Sequence, residues 1–286
     1  MRVDELSAVR AARPEAVAEA AERRVPWKGA QGRLLIIAAD HPARGALAAG
    51  GDRLAMADRH DLLERMCAAL ERPGVDGVLG TPDVIEDLLL LGVLDGRMAL
   101  GSMNRGGLAG SAFEVDDRFT AYTADAIAKA SLDGGKMLLR VDDDDPATAA
   151  TLEGCAHAVS ALAAHRLTAL VEPFIARRVD GRLRNVLTAE AMCRAVSIAS
   201  GLGATSAYTW LKVPVVPDME RVMAATTLPT LLLGGEVPDD LDATLAGWRA
   251  SMALPGVRGL IVGRTLLYPP HGDVRAAVDA AAEVVR

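Results

Sequence analysis

The sequence predicts a single α/β domain, an eight-stranded (β/α)8 or TIM barrel with an N-terminal helical extension. Three observations predict it. The length of 286 residues suits a fold that typically needs about 250. Eight short apolar runs alternate with helix-like stretches, which implies a parallel sheet. The rival, an open doubly wound sheet, usually carries a glycine fingerprint after its first strand, and AADHPARGAL is not one. No linker, low-complexity tract or short-period repeat divides the chain, so residues 1–286 are read as one domain and 1–30 as a helical segment ahead of the barrel.

The elements follow in order. The charged N-terminus, MRVDELSAVRAARPEAVAEAAERR, is neither a signal peptide nor a membrane span and reads as soluble helix, with Pro14 suited to a first turn. Strand 1 is RLLIIAAD (33–40), the unbroken apolar run expected of a strand buried on both faces. The helix-like DRLAMADRHDLLERMCAALER comes next. Strand 2 is VDGVLG (75–80), then PDVIEDLLLLGVL opens a helix on proline. Strand 3 is RMALGSM (97–103), with a polar loop, NRGGLAGSAFEVDDR, leading to the next helix. Strand 4 is KMLLRVD (136–142). The DDDDP run after it reads as a helix start and solvated loop, because carboxylates suit a helix N-terminus, rather than as a metal site. Strands 5 to 8 are LTALVEP (167–173), AYTWLKVPV (207–215), PTLLLGG (229–235) and RGLIVGR (258–264). DVRAAVDAAAEVVR closes the chain as a helix.

Composition narrows the function. Hydrophobic residues make up 51% and aromatics only 3%, so the core must be aliphatic, as barrel interiors are. A net charge of −7 excludes nucleic acid as a natural partner. The three cysteines, Cys67, Cys155 and Cys193, fall in helix-like segments without regular spacing, which favours packing roles and a reducing, cytoplasmic setting. No His or Cys pair has metal-ligand spacing: His60, His157 and His165 lie on helices and His271 in a loop. A zinc-dependent mechanism is therefore rejected, and no cofactor is expected. The leucine-rich VIEDLLLLGVL could join outer helices in a homo-oligomer, and an ordinary buried helix explains it equally well.

In this fold chemistry sits at the C-terminal strand ends. There the sequence puts Asp40 and His41 on strand 1, Asn104 and Arg105 after strand 3, and Lys136, Arg140 and Asp142 on strand 4. Glu172 is on strand 5 and Lys212 on strand 6. Only four lysines occur in the chain, and Lys212 lies inside the apolar TWLKVPVV. Pointing outward it would bury its charge in the helix layer at high cost. Pointing inward, near the second cation Lys136, it would have a lowered pKa and act as a nucleophilic amine. The bland alternative is a buried Lys212–Glu172 ion pair without a reaction, and the clustering of ionisable groups at one rim weighs against it. Strands 7 and 8 suggest a small anion seat. Gly234 and Gly235 would let backbone N–H groups approach a phosphate, and Gly263 precedes Arg264, whose guanidinium fork fits one. Glu236 dissents, since a carboxylate repels phosphate.

These residues resemble the Schiff-base (class I) aldolases of the deoxyribose-phosphate and tagatose-1,6-bisphosphate aldolase superfamily, near the aldolase-like proteins of actinobacterial inositol catabolism clusters. The matching pieces are AADHP, DDRFT, KMLLRVDDDDP, LVEP, LKVPV, LLLGG and GLIVGRTLLYP, in order along most of the barrel. The resemblance implies that Lys212 forms the imine and that Lys136 is the second active-site lysine. It also implies that Glu172 and Asp40 are the strand 5 and strand 1 acids, and that Gly234, Gly235 and Arg264 hold phosphate. Glu236, where a small residue is expected, and Arg140, where a neutral aromatic is expected, depart from the pattern and put the exact sugar phosphate in question. The expected function is a carbon–carbon lyase acting on a ketose or deoxy-sugar phosphate. The alternatives are a sugar-phosphate isomerase or epimerase using Glu172 and Asp40 as acid and base, or a non-catalytic sugar-phosphate sensor.

Overall fold

The apolar runs become strands covered on both faces in this computed structural model, which describes residues 1–29, 32–238 and 240–286. After helices α1 (Leu6–Ala12) and α2 (Ala16–Arg23) come β1 (Leu34–Ala39), β2 (Gly77–Gly80), β3 (Met98–Ser102) and β4 (Gly134–Val141), buried at every residue. Then follow β5 (Thr168–Val179), β6 (Arg182–Asn185), β7 (Thr209–Pro214), β8 (Thr230–Leu233) and β9 (Val257–Val262). All except β6 are parallel, in the ring order β1-β2-β3-β4-β5-β7-β8-β9, and β9 pairs back with β1 to close the barrel. Each of the eight expected strands is present in its expected place. Residue 30 of the expected helical segment lies outside the described residues, and within that segment the α2 helix starts two residues after Pro14.

The outer helices are α3 (Arg59–Leu70), α4 (Pro82–Leu91), α5 (Ala124–Lys129), α6 (Ala147–Ala164), α7 (Ala189–Ser200), α8 (Met219–Ala224), α9 (Leu241–Met252), α10 (Arg264–Leu267) and α11 (Val274–Val285). The sequence starts several of them with a side-chain cap: Asp58, Thr123, Thr188 and Asp273 each accept a backbone N–H of the first turn. The apolar residues divide by strand parity into two cores. Leu34, Ile36, Ala38, Leu79, Leu100, Leu170 and Ile261 fill the barrel interior, with Trp27 packed against them. The opposite faces, including Leu35, Ile37, Val78, Leu139 and Val171, form the larger core under the helices. The leucines of α4 belong to that core, with Leu88, Leu89 and Leu90 buried and α2 packed across the helix. The ordinary buried helix is what VIEDLLLLGVL forms. The N-terminal segment is pinned by Arg24, which reaches Asp133 Oδ2 at 2.7 Å and the carbonyl of Ser131 at 2.6 Å.

Two local departures bear on the site. Strand 5, expected to end at 173, continues to Val179, turns at Asp180 (φ 50°) and Gly181 (φ 74°), and returns antiparallel as β6. Two successive positive-φ residues make the tight turn that suits a two-residue hairpin, so Asp-Gly in ARRVDGRLRN was a legible hairpin signal. The second departure is the DDDDP run. Asp145 accepts from Ala147 N at 3.0 Å at the start of α6, and Asp143 and Asp144 are exposed in the loop as expected, but the run is also tied down. Asp142 is buried, Asp143 is held by Arg194 at 2.7 Å and Arg177 at 3.0 Å, and Asp145 by Arg178 at 3.1 Å. These contacts fasten the hairpin and α7 to the mouth. Among the described residues, no helix is long and apolar enough to cross a membrane.

Candidate active site

Strand alternation directs Lys136, Leu138 and Arg140 of β4 into the barrel, and the same parity directs Glu172 of β5 and Lys212 of β7. At their C-terminal ends the apolar interior gives way to charge. Asp40, just past β1, is 1% exposed, Lys136 1%, Lys212 3% and Glu172 8%. Burying four ionisable groups is costly unless each has a partner, and each does. Glu172 Oε1 receives Lys212 Nζ at 3.1 Å, while its other oxygen, Oε2, receives Lys136 Nζ. Lys136 Nζ also reaches Asp40 Oδ2 at 3.1 Å. That same oxygen accepts from Ser102 Oγ at 3.2 Å and pairs with Arg105 Nη1 at 3.2 Å. The result is one continuous chain of alternating charge: Lys212, Glu172, Lys136, Asp40, Arg105.

The protonation states follow. Burial opposes ionisation of Asp40, but Lys136 and then Arg105 outweigh it and hold the carboxyl well below the usual range. Burial likewise opposes ionisation of Glu172, and its two lysines bring it down to about 2. Burial, with Arg105 adding repulsion, lowers Lys136 to about 8. Arg105 is the leading cationic cause of the depression at Lys136. His41 is brought to about 3 by burial and is neutral at pH 7. Its Nδ1 stands 3.8 Å from Asp40 Oδ1, beyond hydrogen-bonding reach.

The β8 and β9 ends form the opposite lip. Gly234, Gly235, Glu236, Gly263 and Arg264 all line the same cavity as the lysines, a space of about 580 Å3. Gly263 is needed for close approach: a Cβ there would lie 2.4 Å from the carbonyl oxygen of Ala38. Arg264 is the first residue of α10, with Nη2 donating to the carbonyl of Gly235 at 3.4 Å. Thr265 Oγ1 donates to the carbonyls of Gly234 and Glu236 and ties the two loops together.

Of the residues the sequence put at this rim, Asp40, His41, Arg105, Lys136, Arg140, Glu172, Lys212 and the strand 7–8 group line one cavity, while Asn104 and Asp142 are not in its wall. Sequence reasoning missed three more charged residues in the cavity wall, and Ser102, which donates to Asp40. Ser102 occupies the last inward position of β3 and could have been found by parity. Arg44, Glu114 and Arg184 come from connections whose paths strand patterns do not foretell. Glu114 Oε1 takes Arg140 Nη1 at 2.6 Å and Arg44 Nη2 at 3.5 Å, drawing the β3–α5 loop over the mouth. Asn104 fixes that loop's root, exchanging hydrogen bonds with the backbone of Leu138 at 2.6 and 2.7 Å. Among the described residues, no group of three or more His, Cys, Asp or Glu side chains could hold a metal ion. The cysteines are free; Cys155 is buried in the outer core, Cys67 and Cys193 half-buried.

A family model described as Cgl0159-like matches residues 32–282. The crystal structure of Cgl0159 from Corynebacterium glutamicum is similar at 55% sequence identity and a TM-score of 0.96, over 99% of this chain and 96% of that one. A Schiff base forming fructose-1,6-bisphosphate aldolase is similar at 19% identity and a TM-score of 0.65, over 94% of this chain and 100% of its own. An archaeal fructose-1,6-bisphosphate aldolase is similar at 18% identity and a TM-score of 0.68, over 94% and 98%. At such identities the two aldolases share the fold with this chain. No curated protein matches its sequence.

Proposed function

The chain belongs to the Cgl0159-like family, and we propose that this member is a class I aldolase, cleaving or forming a carbon–carbon bond in a ketose or deoxy-sugar phosphate through an imine on Lys212. The observation that carries the reading is the sharing of Glu172 by Lys212 and Lys136 in a buried site. A carboxylate between two amines can pass protons in both directions. The barrel fold in common with aldolases that form Schiff bases supports it further.

Lys212 gives a proton to Glu172, attacks the substrate carbonyl carbon through Nζ, and passes a second Nζ proton to the former carbonyl oxygen, which becomes a hydroxyl. The resulting hydroxyl leaves as water, with Lys136 as the proton donor. The protonated imine draws electrons from the bond between its α and β carbons as a carboxylate, Glu172 or Asp40, removes the proton of the β-carbon hydroxyl. An aldehyde leaves, and the enamine takes up a proton and is hydrolysed from Lys212. The imine itself is the electron sink, so the cleavage calls for no further group. Gly234, Gly235, Gly263 and Arg264 hold the phosphate.

The test is release of triose phosphate or aldehyde from a panel of ketose and deoxy-sugar phosphates. Turnover that vanishes in Lys212→Ala supports the lyase. Conversion to an isomeric sugar phosphate without cleavage, persisting in Lys212→Ala but failing in Glu172→Gln, points to carboxylate-driven isomerisation instead. Thermal shifts without turnover by the wild-type protein would indicate a sensor.

A further inference from the structure

The cavity has two unlike sides. On β5, β7 and β8, successive in the ring, inward parity puts Phe174 two residues beyond Glu172, Pro214 two beyond Lys212 and Leu233 two beyond Leu231. Register sets the three level. Pro214 pairs with Leu233, and the offset that pairs Val171 with Leu211 places Phe174 beside Pro214. The β5–β6 hairpin extends this layer. Leu183 pairs opposite Arg178, which has the parity of Phe174. Val186 N donates to the carbonyl of Ile175 at 2.8 Å, which brings Leu187 back to the end of the barrel strand. All five apolar residues line the cavity. The other side, from β9 through β1 to the end of β3, presents Arg264, His41, Asp40 and Arg105.

The apolar side is shaped for contact. Leu187 is 52% exposed although it stands in the cavity wall, and a ligand that covered it would gain the burial. Arg140, paired in register with Phe174, has its charge matched by Glu114 Oε1 at 2.6 Å. The ring order then sets how a substrate lies. The phosphate lip is on β8 and β9, the imine amine on β7 and the shared carboxylate on β5, and beyond them come Phe174 and the hairpin. Hydroxyls pressed against such a wall would lose water without gaining a partner.

We infer that Phe174, Pro214, Leu233, Leu183 and Leu187 form a specificity wall for a hydrocarbon tail, so that the end of the substrate remote from its phosphate is deoxygenated and uncharged. The inference rests on the sugar-phosphate reading of the pocket and narrows its substrate class to phosphates with a deoxy far end.

Carbonyl-free probes test the wall without imine formation. Dissociation constants are measured calorimetrically for glycerol 3-phosphate, 2,3-dihydroxyhexyl phosphate, mannitol 1-phosphate and 5-carboxy-2,3-dihydroxypentyl phosphate, which differ only beyond the third carbon. Each tail carbon should tighten binding about fourfold, the gain from burying one methylene. The dihydroxyhexyl ester should therefore bind about tenfold or more tightly than mannitol 1-phosphate. That ratio should fall about threefold or more in Phe174→Ser and in Leu187→Ser. Leu187 is exposed, so its variant keeps the wild-type melting temperature and decides the matter should Phe174→Ser fail to fold. Mannitol 1-phosphate binding as tightly as the dihydroxyhexyl ester, or a ratio undiminished in Leu187→Ser, overturns the wall. Tightest binding of the carboxylate-ended probe also overturns it and gives the tail to Arg184 and Asn185, which reach the same cavity. Arg264→Ala should weaken all four probes alike. Their common affinity reads the phosphate lip and their ratio reads the wall, so the two claims fail separately.

Discussion

Lys136 and Lys212, on strands separated in the ring by β5 alone, hold the two oxygens of one carboxylate, that of Glu172 on the strand between them. Removing that carboxylate leaves two ammonium groups facing each other in a dry pocket. Glu172→Gln should therefore cost about 3 kcal/mol or more and lower the melting temperature by about 6–12 °C, with turnover abolished. Thermal denaturation and the turnover assay check both. A variant as stable as the wild type would mean that the pair is not held in this way.

Lys136 gives a pH signature. Its folded pKa is lowered to about 8 from 10.5, so between those values the unfolded chain binds more protons than the folded one. Stability linked to this group therefore rises with pH from about 8 to 10.5. The melting-temperature difference between the wild type and Lys136→Met should grow in favour of the wild type across that window. In the same range kcat should fall, because the proton donor for imine formation is being lost. A flat difference would show that Lys136 keeps its proton.

The carboxylates give a slope of the same sign in a lower window. Glu172 is lowered from 4.5 to about 2 and Asp40 lies well below 3.8. The stability that they contribute is complete above about pH 4.5 and is lost as pH falls through the folded values. Asp40→Asn should flatten the fall in stability between pH 4.5 and 2, as followed by urea denaturation at fixed pH. An unaltered slope would mean that Asp40 is not held by Lys136 and Arg105.

Gly263→Ala probes the seam between β1 and the anion lip. Its new Cβ would stand 2.4 Å from the Ala38 carbonyl oxygen, a backbone atom that can move only with the strand. A loss of about 1–3 kcal/mol is expected. Because Arg264 follows directly, KM for a phosphorylated substrate should rise more than kcat falls. Unchanged KM would separate Arg264 from phosphate binding.

The barrel was legible because each inward or outward residue is dictated by strand parity, and Lys136, Glu172 and Lys212 follow the same rule. Asp40 and Arg105 were found because they stand where strands end. What escaped came from loops. Glu114 reaches Arg140 only by the path of the β3–α5 connection, and no spacing announces it. The hairpin after β5 was announced by Asp180 and Gly181, but an apolar strand that runs into an arginine-rich return looked like a strand end. The lowered pKa of Lys136 was half legible: two neighbouring lysines suggested a depressed amine, and its burial beside Arg105 was not readable from spacing.

Peptide mapping after borohydride reduction in the presence of dihydroxyacetone phosphate tests the central claim most directly. The account predicts one reduced adduct, on the peptide carrying Lys212, and none in Lys212→Ala. An adduct on Lys136 in the wild-type protein, or undiminished trapping in Lys212→Ala, would contradict it.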